Sequence, residues 1–159
     1  MKYYAGCYES PLGSLLMTSD GEALTGLSFV DEPSALQVTQ SLPVFAAACR
    51  WLDLYFSGKV PDFTPQLSLQ GSDFRRAVWE ILLTIPYGQT ISYGEIADMI
   101  ARRRQLGKMS AQAVGGAVGH NPVGIIVPCH RVIGKNGSLT GYGGGIWRKE
   151  WLLRLECII

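Results

Sequence analysis

Ile125-Ile126-Val127-Pro128-Cys129-His130-Arg131-Val132 decides how this 159-residue chain is read. Three β-branched residues ahead of a proline predict a short buried strand over 125–127 that stops at Pro128 and presents Cys129 from a rigid exit. A thiol attacks as its thiolate, and a nearby His, Arg or helix N-terminus is the usual means of lowering its pKa from about 8.5. His130 and Arg131 stand beside Cys129 for that purpose. A lone cysteine is also a small buried hydrophobe, so Cys129 without its surroundings supports either reading.

The wider composition narrows the setting. Cys7, Cys49, Cys129 and Cys157 are scattered with no Cys-x-x-Cys, and His120 and His130 are the only histidines. Neither a disulfide framework nor a metal site is expected from that spacing. No basic leader with an apolar stretch opens the sequence, and no apolar run approaches the ~20 residues of a membrane span, so a soluble cytoplasmic protein is expected. Charge is unevenly spread. Residues 1–99 carry five basic against eleven acidic side chains, a net −6, whereas residues 100–159 carry nine against two, a net +7. A polyanion meeting the C-terminal part explains the split, as does an ordinary solvated basic face.

Upstream, short apolar-polar alternations over Tyr3–Tyr8, Gly13–Ser19 and Leu24–Phe29, broken at Ser10-Pro11 and Asp20-Gly21, predict hairpins. A helix is predicted from about Pro43 to Tyr55, with Phe45, Ala48, Leu52 and Phe56 on its apolar face and a stop at Ser57-Gly58. Val60–Leu69, with Pro61 and Pro65, reads as an extended linker, which places a domain boundary near residue 70.

Beyond it, Ser72 or Asp73 caps a helix with Phe74, Val78, Ile81 and Leu82 inward. A second helix follows Ser92, and a basic turn, Arg102 to Lys108, is broken at Gly107. Ser110 then caps a third helix, Ala111–Gly119, whose Ala113, Gly115, Gly116 and Ala117 permit close packing on a neighbour or approach to a nucleic-acid groove. Two short helices joined by a turn are the parts of a helix-turn-helix. Gly134–Gly145 holds six glycines and suits backbone contact with a planar ligand, or a plain surface connection; a last helix is predicted over Arg148–Ile158. No phosphate-loop or dinucleotide glycine motif is present, which leaves nucleotide hydrolysis and dinucleotide binding unsupported.

Phe74 with Val78-Trp79, Ile85-Pro86-Tyr87-Gly88, Ser92-Tyr93, Ala113-Val114-Gly115-Gly116-Ala117, Asn121-Pro122, the segment Ile126–Val132, Gly141-Tyr142, and Lys149-Glu150-Trp151-Leu152-Leu153 with Glu156 occur in an order and spacing that resemble the O6-alkylguanine-DNA alkyltransferases. The resemblance implies an α/β (α+β) chain. Residues 1–69 would form a small sheet-plus-helix domain, ribonuclease-H-like in the family, and residues 70–159 a mostly helical DNA-binding and active-site domain. It implies irreversible transfer of a methyl or small alkyl group from guanine O6, and from thymine O4, to Cys129, with no cofactor and no metal. The partner would be duplex DNA carrying O6-alkylguanine, met by a monomer away from any membrane, its target base flipped out of the stack.

By the same resemblance His130 takes the thiol proton through a water, Glu156 sets its tautomer, and Asn121 braces the turn. Tyr93 crowds the target phosphate and Tyr142 donates to the leaving guanine, while Cys129, Val132 and Gly143 offer backbone groups to its edge; Arg131 is also assigned to the substrate side. Ser110, Gln112 and Ala113 fall at the DNA-facing end of the third helix. Gln112 occupies the place where the family commonly has an arginine, and the turn before it is longer than in the best-known members, so Arg102, Arg103, Arg104 and Lys108 are expected to supply phosphate contacts. Two other classes remain: a non-catalytic sensor of alkylated bases, which in its known relatives lacks the acceptor cysteine, and a thiol hydrolase, for which adjacent Cys and His are awkwardly placed.

Overall fold

The computed structural model describes residues 3–31 and 41–159. It divides into two compact units, Met1–Gln70 with Pro122–Gly124, and Gly71–Asn121 with Ile125–Ile159.

The first unit is a three-stranded antiparallel meander, β1 (Tyr4–Ser10), β2 (Gly13–Ser19) and β3 (Leu24–Val30), with one helix, α1 (Pro43–Phe56). Alternation along β2 turns Leu15 and Met17 into the core, and Tyr8 pairs with Leu15 across the first hairpin. The Asp20 carboxylate accepts the amides of Glu22 and Ala23 at 3.0 and 2.9 Å, so the side chain itself builds the second turn. Pro43 begins α1, where its missing N–H costs nothing. At the other end Gly58 adopts φ 86°, letting the amides of Gly58 and Lys59 reach back to Tyr55 and Leu54. The apolar face is wider than predicted. Trp51 and Tyr55 join Phe45, Ala48 and Leu52 in the core, their rings stacked 5.2 Å apart, while Phe56 is half-buried. Along the outer edge of β3, Leu24 bonds to Gln66 and Ser68 and Leu27 to Pro122 and Gly124, so the proline-bearing linker pairs with that edge at one point.

The second unit contains α2 (Asp73–Leu82), β4 (Ile91–Ser92), α3 (Tyr93–Arg103), α4 (Ala111–Gly119), β5 (Val132–Ile133) and α5 (Ile146–Leu155). Serine starts three of its helices. Ser72 accepts the Arg75 amide, Ser92 and Glu95 form a reciprocal capping box, and Ser110 accepts the amides of Gln112 and Ala113. Trp79, buried on α2, donates its indole N–H to Ala117 O of α4 at 2.8 Å. Strand β4 pairs in parallel with β5, which sets Ser92 and Tyr93 beside the chain that leaves Cys129.

Three predicted features differ. Ile125–Val127 is buried but is a turn, with Ile125 at φ 67°; an apolar run cannot distinguish strand from buried turn, and among the described residues no strand lies alongside to pair with it. The turn between α3 and α4 is broken at Gln105, φ 55°, rather than at Gly107, and Arg102 and Arg103 still belong to α3. Leu106 N donates to Ala101 O at 2.8 Å, closing the helix end over a left-handed residue. The last helix starts at Ile146 and ends at Leu155, because Cys157 at φ 62° returns the amide of Ile158 to Leu153 O. As for the small residues of α4, a Cβ on Gly116 or Gly119 would meet open space, so close packing within the chain is not what requires glycine there.

Candidate active site

Cys129 begins a single 3₁₀ turn, Cys129–Arg131, held by Cys129 N donating to Val127 O at 2.8 Å and Arg131 N donating to Pro128 O at 3.0 Å. Successive side chains of such a turn project roughly 120° apart, so Cys129, His130 and Arg131 face different surroundings. This corrects the expectation that His130 and Arg131 lower the thiol pKa. Burial pushes the Cys129 thiol up, opposed by a hydrogen bond from the Asn121 side chain and by the charge of Lys149. Asn121 also donates Nδ2–H to Val127 O at 2.8 Å, tying the turn to the end of α4.

His130 and Arg131 both turn to Glu156, the residue that closes α5. His130 Nε2 lies 2.6 Å from Glu156 Oε2, with both side chains fully buried. A carboxylate only accepts, so Nε2 carries the proton. Arg131 donates from Nε to Oε1 at 2.8 Å and from Nη2 to Oε2 at 3.3 Å, and its Nη1 donates to Ile85 O at 2.7 Å. Gly88 N adds a bond to Oε1 at 3.0 Å, and the Tyr87 ring lies 5.7 Å from the guanidinium carbon. Against the burial that would raise it, the hydrogen bonds from His130, Arg131 and Gly88 hold the Glu156 carboxyl down at about 2. Burial lowers the pKa of His130; Glu156 opposes this, while Arg131 and Lys149 add to it, so the ring is neutral at pH 7. Arg131, assigned above to the substrate side, has its guanidinium on Glu156 and Ile85 O, since an unpaired buried guanidinium would be strongly disfavoured.

Lys149 is the residue that sequence reasoning missed. Fully buried, it donates Nζ–H to Val132 O at 2.6 Å and Thr140 O at 3.0 Å. Burial lowers its pKa and the nearby Cys129 sulfur opposes that. Its signal was present in the spacing: Lys149, Leu152, Leu153 and Glu156 lie at intervals of three, one and three, which puts two charged residues on the inward stripe of α5. Val132, expected to offer its backbone to substrate, already has its carbonyl on Lys149, and Gly143 is exposed in the glycine-rich loop.

Tyr93, at the first position of α3, donates its hydroxyl to the same Thr140 carbonyl at 3.1 Å. Burial raises its pKa and that of Tyr142, and in both the Cys129 thiolate charge adds to the rise, so both phenols lie near the sulfur and stay protonated at neutral pH. A cavity of about 620 Å³ opens beside Tyr93, lined among others by Gln112, Gly115, Lys135, Thr140 and Gly141. Gln112 and Ala113 are exposed in the first turn of α4, after the Ser110 cap. Arg102, Arg103, Arg104 and Lys108 are exposed, with Arg104 over the Phe74 ring at 5.6 Å and Arg102 Nε donating to Asp98 O at 3.3 Å. Among the described residues no cluster of His, Cys, Asp and Glu could hold a metal ion, and no helix is long and apolar enough to cross a membrane.

A half-buried cysteine on the same turn as a neutral histidine bonded to a buried carboxylate, with two protonated phenols near the sulfur and a helix-turn-helix in the same unit, is the arrangement of a thiol that acts on nucleic acid. Two family models cover nearly the whole chain: the 6-O-methylguanine DNA methyltransferase ribonuclease-like domain over residues 3–69 and its DNA-binding domain over residues 73–158. The chain belongs to the 6-O-methylguanine DNA methyltransferase family. It is 50% identical over 151 residues to the methylated-DNA–protein-cysteine methyltransferase of Mycobacterium tuberculosis, covering 93% of this chain and 88% of that one. To the protein of the same name from Methanosarcina acetivorans it is 43% identical over 158 residues, 97% of each chain. The crystal structure of Mycobacterium tuberculosis OGT in complex with DNA superposes with a TM-score of 0.81 at 49% identity, over 97% of this chain and 91% of that one.

Proposed function

We propose that this protein repairs DNA by moving a methyl or small alkyl group from O6 of guanine, and from O4 of thymine, irreversibly onto Cys129. The observation that carries the reading is the neutral His130, bonded to a buried Glu156 carboxylate, on the turn that presents a thiol whose pKa is raised. Such a thiol is protonated at neutral pH and needs a base at the moment of attack. With Nε2 on Glu156, a water relays the Cys129 proton to Nδ1 of His130. Sγ then attacks the alkyl carbon in line, the S–C bond forms as the C–O6 bond breaks, and the electron pair stays on guanine. Tyr142, kept protonated by burial, donates toward that charge. The thioether is permanent, so one molecule repairs one lesion.

Asn121 braces the reactive turn, Tyr93 crowds the phosphate of the flipped nucleotide, and Lys149 stabilises the developing thiolate. The first turn of α4 with Gln112 and Ala113 enters the duplex, and Arg102, Arg103, Arg104 and Lys108 bind its phosphates. In this reading the protein acts as a monomer on cytoplasmic DNA, with no metal or cofactor. Incubation with a duplex bearing one O6-methylguanine, followed by intact mass measurement, tests this: a gain of about 14 Da, one methylene, is expected in the wild type and none in Cys129→Ser. Tight binding without a mass change would indicate a sensor, and release of product without a mass change a hydrolase.

A further inference from the structure

The Glu156 carboxylate is gripped harder than a partner for one histidine requires. Arg131 approaches both of its oxygens, from Nε to Oε1 at 2.8 Å and from Nη2 to Oε2 at 3.3 Å, leaving His130 Nε2 on Oε2 at 2.6 Å. The guanidinium is itself fixed from the far side by Ile85 O at 2.7 Å and by the Tyr87 ring, and Gly88 N holds Oε1 at 3.0 Å. Tyr87 OH donates to Leu155 O at 3.3 Å, so the segment between α2 and β4 closes over the pair. Two-point contact fixes the plane of a carboxylate as a single bond cannot.

We propose that Arg131 is a positioning residue for the alkyl transfer: its two-point hold on Glu156 aims the carboxylate at His130 and offsets its charge, keeping the ring neutral and ready to receive the Cys129 proton. This rests on the alkyl-transfer reading above. The electrostatic reason is direct. A buried carboxylate alone beside an imidazole stabilises the imidazolium, and an imidazolium accepts no proton. The field of the Arg131 guanidinium on His130 opposes that of Glu156, as does the field of Lys149 from α5. Among the described residues the Tyr87 phenol also lies near the carboxylate, with Cys157 near that phenol. Arg131 touches neither the thiol nor the cavity beside Tyr93, and acts through Glu156.

Three variants and two readouts test the assignment. Single-turnover methyl transfer is followed from pH 5 to 9, and the His130 ring is titrated by nitrogen-detected NMR in the absence of DNA. His120, exposed and bonded to Gly116 O, is the only other histidine and is removed by His120→Gln for assignment. In Arg131→Met the His130 midpoint is expected to rise by about one unit or more, and the acid limb of the rate profile to move with it. Arg131→Lys keeps the charge but loses the fork; the midpoint should return to the wild-type value while the rate stays roughly tenfold low. The pair Arg131→Met with Glu156→Gln removes both charges, and should leave the ring titrating as in the wild type while transfer remains slow. A folded Arg131→Met with an unmoved His130 midpoint overturns the proposal. Should that variant not fold, a wild-type rate in Arg131→Lys overturns it instead. Absence of methyl transfer in the wild type would sink the alkyl-transfer reading and leave the NMR comparison standing.

Discussion

The two units of this protein are stabilised in opposite ways. In the first, the described core is apolar, its only buried polar residues are Ser14 and Ser19, and its ionisable contacts lie at the surface, as in Tyr8 donating to Asp53 at 2.6 Å. The second buries His130, Arg131, Lys149 and Glu156. Burying charge is expensive unless every group is paired, and the expense is sustained where geometry must be held within tenths of an ångström. The contrast therefore separates scaffold from reagent: the second unit gathers its buried charged side chains from the turn that carries Cys129 and from α5 and its C-cap.

The largest effect on stability should come from breaking that interior. Glu156→Gln strands Arg131 in the core and is expected to lower unfolding free energy by about 3–5 kcal/mol in a urea titration. A loss below about 1 kcal/mol would show that the cluster tolerates disruption as a surface pair does.

Acid should find the same unit first. Both Glu156, held at about 2, and His130, also lowered, bind fewer protons folded than unfolded. Their contributions are therefore present above their ordinary values and fade as pH falls. The His130 contribution begins to go below about 6.5, and the Glu156 contribution between about 4.5 and 2. Amide exchange from pH 7 to 3 should show α5 and the 129–133 segment losing protection before β1–β3; simultaneous loss would contradict the contrast.

A smaller effect concerns DNA rather than folding. Changing Arg102, Arg103 and Arg104 together to alanine should weaken duplex binding and reduce its log–log salt slope by up to about 3, one for each phosphate no longer neutralised. An unchanged slope would mean that these exposed arginines do not compensate for Gln112. Smallest of all, Asp53→Asn in the first unit removes a surface acceptor and is expected to cost less than about 1 kcal/mol, in the range of exposed polar contacts.

Legibility in the sequence follows the same division. Alternation places β1, β2 and β3 within two residues of their observed ends, and three serines mark the starts of α2, α3 and α4, because these signals act over a few residues. Where backbone enters the left-handed region at Ile125, Gln105 and Cys157, local preference points elsewhere, and the predicted strand, turn and helix end are displaced. At the site, the motif names Cys129, His130 and Glu156, and the fold joins the last two across 26 residues of sequence. The functions assigned to Arg131 and Lys149 are not readable in the sequence, since both follow from which buried partner each side chain reaches.

By itself, then, the sequence determined the order of elements, the helix starts, the charge division and the presence of a Cys-His pair with a distant glutamate, all set by near neighbours and recurring spacing. Only the tertiary structure decided that Cys129 is shielded with its pKa raised, that its two basic neighbours serve Glu156 instead, and that Lys149 lies near it from α5. Burial and long-range hydrogen bonding govern those outcomes, and both depend on residues brought together from the segment between α2 and β4, from α5 and its C-cap, and from the turn at Cys129.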